Sequence, residues 1–188
     1  MKFRILLLTL LLAAACREPE ARWPIEAKSG SFLEQSAARN KRLLAEEEAL
    51  MARLIAADSL HQWEQTASGS RFYYLQKNPG QGYTPQPDDL VTLTYNLMTW
   101  GGDTLYRAEE LGVLRYKVDK QELFPGLRNS VKLLQQGEKA VFMYPSSLGY
   151  GYHGDEDRIG PNVPLKATLE ILDIQKSQDA NSTQTLNP

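Results

Sequence analysis

Leu134-Gln135-Gln136-Gly137-Glu138-Lys139-Ala140-Val141-Phe142-Met143-Tyr144-Pro145-Ser146-Ser147-Leu148-Gly149-Tyr150-Gly151 reads as three pieces of structure in a row. Gly137 ends a helix, Lys139 to Tyr144 is β-rich, and a glycine-rich loop runs from Ser146 to Pro164. Working outward, the helix is predicted over Asp119 to Gln136, entered through Phe124-Pro125-Gly126. Before it, strands are predicted at Arg71 to Gln76, Leu90 to Leu97 and Leu114 to Val118. In the second of these Val91, Leu93, Tyr95 and Leu97 share one face, as a period of two requires. Pro79, Gly80 and Gly82 make a loop, and Gly101-Gly102-Asp103 makes a turn. After the glycine-rich loop, Ala167 to Ile174 closes the set, with Leu169 and Ile171 alternating against Thr168 and Glu170. Strands, one short helix and more strands predict an α+β domain over residues 69–174: a curved antiparallel sheet wrapped on the helix. Residues 175–188 are polar and read as a disordered tail.

The N-terminal third has a different texture. Lys2 and Arg4 precede an apolar run from Ile5 to Leu12 broken only by Thr9, and Ala13-Ala14-Ala15 lead to Cys16, the only cysteine of the chain. A charged start, a short apolar core and small residues at a cleavage point make residues 1–15 a signal peptide. The run is too short to span about 30 Å of hydrocarbon. A lone cysteine directly after such a core has no disulfide partner and stands where a bacterial lipoprotein is lipidated, although Ala13 stands where leucine is more usual. Acyl chains there would anchor the mature chain to a membrane, with the domain exported to the periplasmic or surface side of the envelope. Residues 16–30, with two prolines and no apolar period, read as a tether.

An amphipathic helix is predicted over residues 31–62. Ser31 and Glu34 have capping-box spacing, and no Gly or Pro interrupts Phe32 to Leu60. Phe32, Leu43, Leu50 and Leu54 fall in one row; Leu33, Leu44, Met51 and Ile55 fall in the next. Glu47 interrupts this apolar face. Two readings stand: a helix packed on its own domain, and a helix that binds a second copy or another partner through Phe32–Leu60.

The chain holds 21 Lys and Arg against 23 Asp and Glu, with no basic run that could track a phosphate backbone, so no nucleic-acid partner is expected. Two histidines and no cysteine in the domain leave no metal-ligand cluster, and no metal or other cofactor is expected.

Leu123-Phe124-Pro125-Gly126-Leu127, Gly137-Glu138-Lys139, Pro145-Ser146-Ser147-Leu148-Gly149-Tyr150-Gly151, Val163-Pro164 and Ala167-Thr168-Leu169, in this order, resemble the FKBP-type peptidyl-prolyl cis-trans isomerases. Each motif is weak alone; their order and spacing carry the resemblance. It implies an FKBP-like fold preceded by a long helix, and proline-containing protein clients. It also implies a pocket walled by Tyr95, Leu105, Leu114, Leu123, Phe124, Leu127 and Ile171. Tyr150 would give its hydroxyl, and Phe124 its backbone N–H, to a substrate carbonyl. Tyr106 stands where the family has an acidic residue, and Leu105, Leu127 and Ile171 replace aromatic walls. The departures imply weak isomerase activity and altered macrolide binding. They also keep open a non-catalytic chaperone or scaffold that uses the pocket for docking. As a whole, the chain resembles the gliding-motility-associated FKBP-type lipoproteins of the Bacteroidota, which implies a role in motility or secretion.

Overall fold

The computed structural model describes residues 29–177. The signal peptide, Cys16 and the tether as far as residue 28 lie outside the described residues, as does the tail from residue 178. Two compact units divide between Arg39 and Asn40. In the first, the described residues are helix, with mostly exposed side chains.

Helix α1 is Ser29–Ala57. It is already running at Ser29, so the last two residues assigned to the tether are helical and Ser31 is not its cap. It also stops short of residue 62. The Asp58 carboxylate accepts the Leu60 N–H at 3.1 Å and the Trp63 Nε1–H at 3.0 Å, and it holds His61 Nδ1 at 2.8 Å. These bonds draw the chain into a turn that competes with further helix. From Asn40 onward the sequence's first alternative holds. Glu47 and Met51 are buried, Leu43 and Ile55 half-buried, and Leu50 and Leu54 more than a third exposed.

The strands are β1 Glu64–Gln65, β2 Arg71–Gln76, β3 Leu90–Tyr95, β4 Leu97–Thr99, β5 Thr104–Tyr106, β6 Leu114–Lys117, β7 Lys139–Tyr144 and β8 Leu165–Gln175. Helix α2 is Ala108–Leu111 and α3 is Pro125–Val131. The sheet runs β1-β2-β7-β8-β3-β6, all antiparallel, with β4 pairing β5 and β8. This is the predicted α+β arrangement.

Within the domain β6 ends at Lys117 and β8 begins at Leu165, one and two residues from the sequence reading, and other boundaries differ for local reasons. Helix α3 does not begin at Asp119, which has a left-handed φ of 59°. It begins at Pro125, which lacks an N–H and suits a first helical position. It ends at Val131, where Leu133 N–H turns back to the Ser130 carbonyl at 3.0 Å. The strand foreseen over Leu90 to Leu97 breaks at Asn96, whose Oδ1 accepts the Thr168 N–H at 2.8 Å in place of a backbone carbonyl. Strand β8 extends through Gln175, so the tail cannot begin there. It carries a bulge opposite Thr92 and Leu93, which pair with Asp173 and Ile171. The extra residue, Leu172, faces out, and the phase shift brings Ile174 rather than Asp173 onto the core.

The core lies between the sheet and α3. Leu127, Val131 and Leu134 meet Val91, Leu93, Phe142, Tyr144, Leu169 and Ile171 there. At roughly 25 cal/mol per Å² of apolar surface, each such side chain contributes about 1.5–3 kcal/mol. A second cluster joins Met51 of α1 to Trp100 and Met143. Met143 and Tyr144 are sequence neighbours on one strand, so they point to opposite faces. The α1 seat and the α3 core therefore use opposite faces of β7.

Candidate active site

Phe124 caps α3 with an extended backbone (φ −59°, ψ 148°), and Pro125 follows. Pro125 leaves the helix start without one donor. Gly126 is required next. A Cβ there would lie 2.5 Å from the Tyr144 ring and 2.8 Å from the Leu148 carbonyl. This close approach draws the helix start against the loop that follows β7.

That loop begins with a single 3₁₀ turn, Ser146–Leu148. The Ser146 carbonyl accepts N–H groups from Gly149 and Gly151, both at 3.0 Å, and so brackets Tyr150. The Tyr150 ring lies 5.3 Å from the Phe124 ring, tilted by 40°. Phe124 also meets Tyr144 edge-on at 5.5 Å. Neither the Tyr150 hydroxyl nor the Phe124 N–H has a protein hydrogen-bond partner among the described residues. Burial, with Tyr95 and Asp155 nearby, pushes the Tyr150 hydroxyl up to about 12, so it stays a proton donor at neutral pH.

The remaining residues named from the sequence join the same cluster. Leu127 and Ile171 are wholly buried and form a floor that presents no surface of its own. Tyr95, Leu105, Leu114 and Leu123 are partly buried and packed against it, as are Tyr106, Leu148 and Val163. The accessible walls are therefore these partly buried side chains with Tyr150. Burial raises the Tyr95 hydroxyl as well.

The sequence reading missed the group that closes the rim. The Tyr106 hydroxyl donates to the Asp155 carboxylate and lies 3.3 Å from Asp157. The bond to Asp155, with burial, pushes Tyr106 up to about 12. Burial disfavours the charged form of Asp155, but bonds from Tyr106 and from the Ile159 and Asp157 N–H groups outweigh it and hold the carboxyl below its ordinary range. The Arg158 guanidinium stacks over the Tyr106 ring at 4.8 Å and donates to the Leu105 carbonyl at 2.9 Å and to Glu110 at 3.1 Å. Position 106 carries tyrosine where the family resemblance implies an acid, and Asp155 brings a carboxylate to the same rim from across the fold. Its only sequence signal was the acidic run Asp155-Glu156-Asp157 inside a glycine-rich loop.

Gly137-Glu138-Lys139 has a structural role. The buried Glu138 carboxylate accepts the Asn78 N–H at 3.0 Å and the Gln135 N–H at 2.8 Å. Gly137 N–H donates to the Ile171 carbonyl at 2.7 Å, and Ile171 N–H donates to the Glu138 backbone carbonyl at 3.1 Å, which fixes the pocket floor. Among the described residues no group of three His, Cys, Asp or Glu side chains could hold a metal.

Residues 82–172 match the family model of the FKBP-type peptidyl-prolyl cis-trans isomerases. The chain is 30% identical over 119 residues to the probable FKBP-type peptidyl-prolyl cis-trans isomerase FkpA of Neisseria meningitidis, an alignment covering 63% of this chain and 43% of that protein. It is 29% identical over 107 residues to FkpA of Aeromonas hydrophila, covering 57% of this chain and 39% of the relative. The chain thus spans less than half the length of these curated relatives. Among solved structures it is similar in fold to FkpA from Escherichia coli, with a TM-score of 0.58 at 21% identity, covering 94% of this chain and 84% of that one. A peptidyl-prolyl cis-trans isomerase from Pseudomonas syringae gives a TM-score of 0.56 at 20% identity, covering 72% and 96%. With the motifs, the sheet wrapped on α3 and these matches in agreement, the chain carries an FKBP-type peptidyl-prolyl cis-trans isomerase domain over residues 82–172.

Proposed function

We propose that the chain is a lipid-anchored peptidyl-prolyl cis-trans isomerase that assists folding of exported, proline-containing proteins. The family match and the names of the relatives support the activity. One observation carries the assignment of the site: the Tyr150 and Phe124 rings meet at 5.3 Å over the apolar cluster, and neither the Tyr150 hydroxyl nor the Phe124 N–H has a protein partner among the described residues.

Rotation about an X-Pro bond has a barrier of about 18–20 kcal/mol because resonance is lost at the twisted geometry. The twisted amide is less polar than the planar one, so a dry apolar pocket favours it. The proline ring enters between Tyr95, Leu105, Leu114 and Leu123. Tyr150 and the Phe124 N–H hold the flanking carbonyls while the bond turns. No covalent or proton-transfer step is needed. With Leu105 in place of an aromatic wall, and Leu127 and Ile171 too deep to offer the ring a face, turnover is weak and macrolide inhibitors bind poorly. The same substitutions favour a second reading, a chaperone-like module that docks proline segments without turning them over.

Anchoring through Cys16 rests on the signal-peptide pattern of residues 1–15, and places the domain on the exported side of a membrane. A role in gliding motility or the associated secretion rests on the resemblance of the whole chain to lipoproteins of that process. A homodimer or motility-complex contact through Phe32–Leu60 rests on the apolar rows of α1. Exchange spectroscopy on a short X-Pro peptide tests the activity: faster cis–trans exchange with the parent, and much less with Tyr150→Phe, is the result expected. Peptide binding without faster exchange would favour the docking module.

A further inference from the structure

We infer that Glu47 is a positioning residue for the loop that carries Tyr150, which makes α1 a working part of the pocket. The inference rests on the reading of Tyr150 as the substrate's hydrogen-bond donor. Glu47 is 6% exposed, and its Oε2 accepts the N–H of Ser146 at 2.8 Å. Its Oε1 is buried with no hydrogen-bond partner among the described residues. A buried carboxyl with one orphan oxygen is unfavourable, and such a group calls for an explanation. Leu43 and Met51 stand one turn to either side on the same helix face. An apolar residue at position 47 would seat the helix without the unfavourable group. Seating is also already secured elsewhere, because Met51 packs with Trp100 and Met143, and Trp100 Nε1–H donates to the Leu165 carbonyl at 2.9 Å.

What Glu47 adds is a fixed Ser146. That residue is the post of the loop, since its carbonyl takes the N–H groups on both sides of Tyr150, from Gly149 and Gly151. The Gly151 carbonyl in turn accepts the Asn162 N–H at 2.7 Å and ties in the returning limb. A cavity of about 150 Å³, lined by Leu43, Leu44, Ser147, Gly151 and Tyr152, lies beside this post. Without the Glu47 bond the loop has room to shift into that space, and the Tyr150 hydroxyl moves with it. The chain of contacts therefore runs from α1 through Glu47 and Ser146 to the substrate donor.

Three variants of the full chain test this. Glu47→Gln keeps an oxygen acceptor of the same reach. Glu47→Asp keeps the acid but shortens the arm, and Glu47→Ala removes it. Since small misplacements of a reacting group are costly, kcat/KM is expected to fall on the order of tenfold in the Asp and Ala variants and to stay within about twofold in Gln. The Ser146 amide should exchange faster, and the Tyr150 ring signals should shift, only in the first two. Folded Asp or Ala variants with the parent's kcat/KM overturn the inference, and so does a Gln variant as impaired as Asp. If Ala does not fold, the Asp and Gln pair decides. If the parent itself shows no turnover, the isomerase reading fails separately, and the amide and ring signals still decide: an unchanged Tyr150 in Glu47→Asp overturns the positioning role.

Discussion

Tyr150→Phe and Leu127→Ala both touch the pocket but probe different physics. The first deletes a hydroxyl without a protein partner and leaves the ring against Phe124. Turnover should fall roughly fivefold to tenfold, the worth of one hydrogen bond of about 1–1.5 kcal/mol, with the melting temperature unchanged. The second opens a cavity under a wholly buried side chain. It should destabilise by about 2–5 kcal/mol, and activity per folded molecule should change much less than stability. Denaturant melts run beside the exchange assay separate the two. Since the Tyr150 hydroxyl is pushed up to about 12, its neutral, donating form persists below that pH. kcat/KM should therefore be flat through neutrality and decline only on the alkaline side near that value; a midpoint near neutral pH would contradict the role given to Tyr150. At this scale it was the family resemblance, not composition or spacing, that named Tyr150, Phe124 and the apolar residues around them, and these side chains share one cluster in the structure. The sequence did not show the Tyr106–Asp155 contact, which joins residues far apart in the chain through a loop with no period. Nor did it show the purpose of Glu47, visible only as an acid breaking an apolar helix face.

Elements were legible where period and turn chemistry agreed. Arg71–Gln76 and Lys139–Tyr144 are β-rich runs between clear turn signals, and their bounds match the structure. Helix α3 was overextended because the residues around it lack glycine, while its true limits come from Pro125 and from the turn at Ser130. The break at Asn96 and the bulge at Leu172 depend on pairing across strands, which no single strand reveals. The end of β8 is held by one carboxylate. Asp89 is 1% exposed and accepts from the Gln86 N–H at 2.9 Å, the Tyr83 hydroxyl at 2.7 Å and the Ser177 N–H at 2.9 Å. Burial alone would raise its carboxyl, but these bonds hold it below the ordinary value. A lowered folded value gives stability that is complete above the unfolded carboxyl range, about 4, and lost as pH falls through the folded value. Thermal unfolding should therefore be steady from neutral pH to about 5 and weaken below about 4. Asp89→Asn should flatten part of that acid slope; an unchanged slope would mean that Asp89 is no anchor.

Lipidation at Cys16 predicts that the expressed full chain partitions with membranes and takes up labelled palmitate, and that Cys16→Ser abolishes both. A Cys16→Ser protein that still fractionates with membranes would point to another means of attachment. Among the described residues no helix is long and apolar enough to cross a membrane. The antiparallel sheet wrapped on a short helix was foreseeable from element order, because strands interrupted by a single helix have few ways to bury one face. How α1 meets the domain was not foreseeable, since two apolar rows of similar quality left its partner open.

The most direct test of the central claim compares the parent with Tyr150→Phe in X-Pro exchange, at matched folded concentration. The account predicts measurable acceleration by the parent and a roughly fivefold to tenfold loss in the variant, with melting curves that superimpose. Equal acceleration by both proteins would contradict the placement of the active site at Tyr150 and Phe124, and a folded parent that accelerates nothing would contradict isomerase function itself.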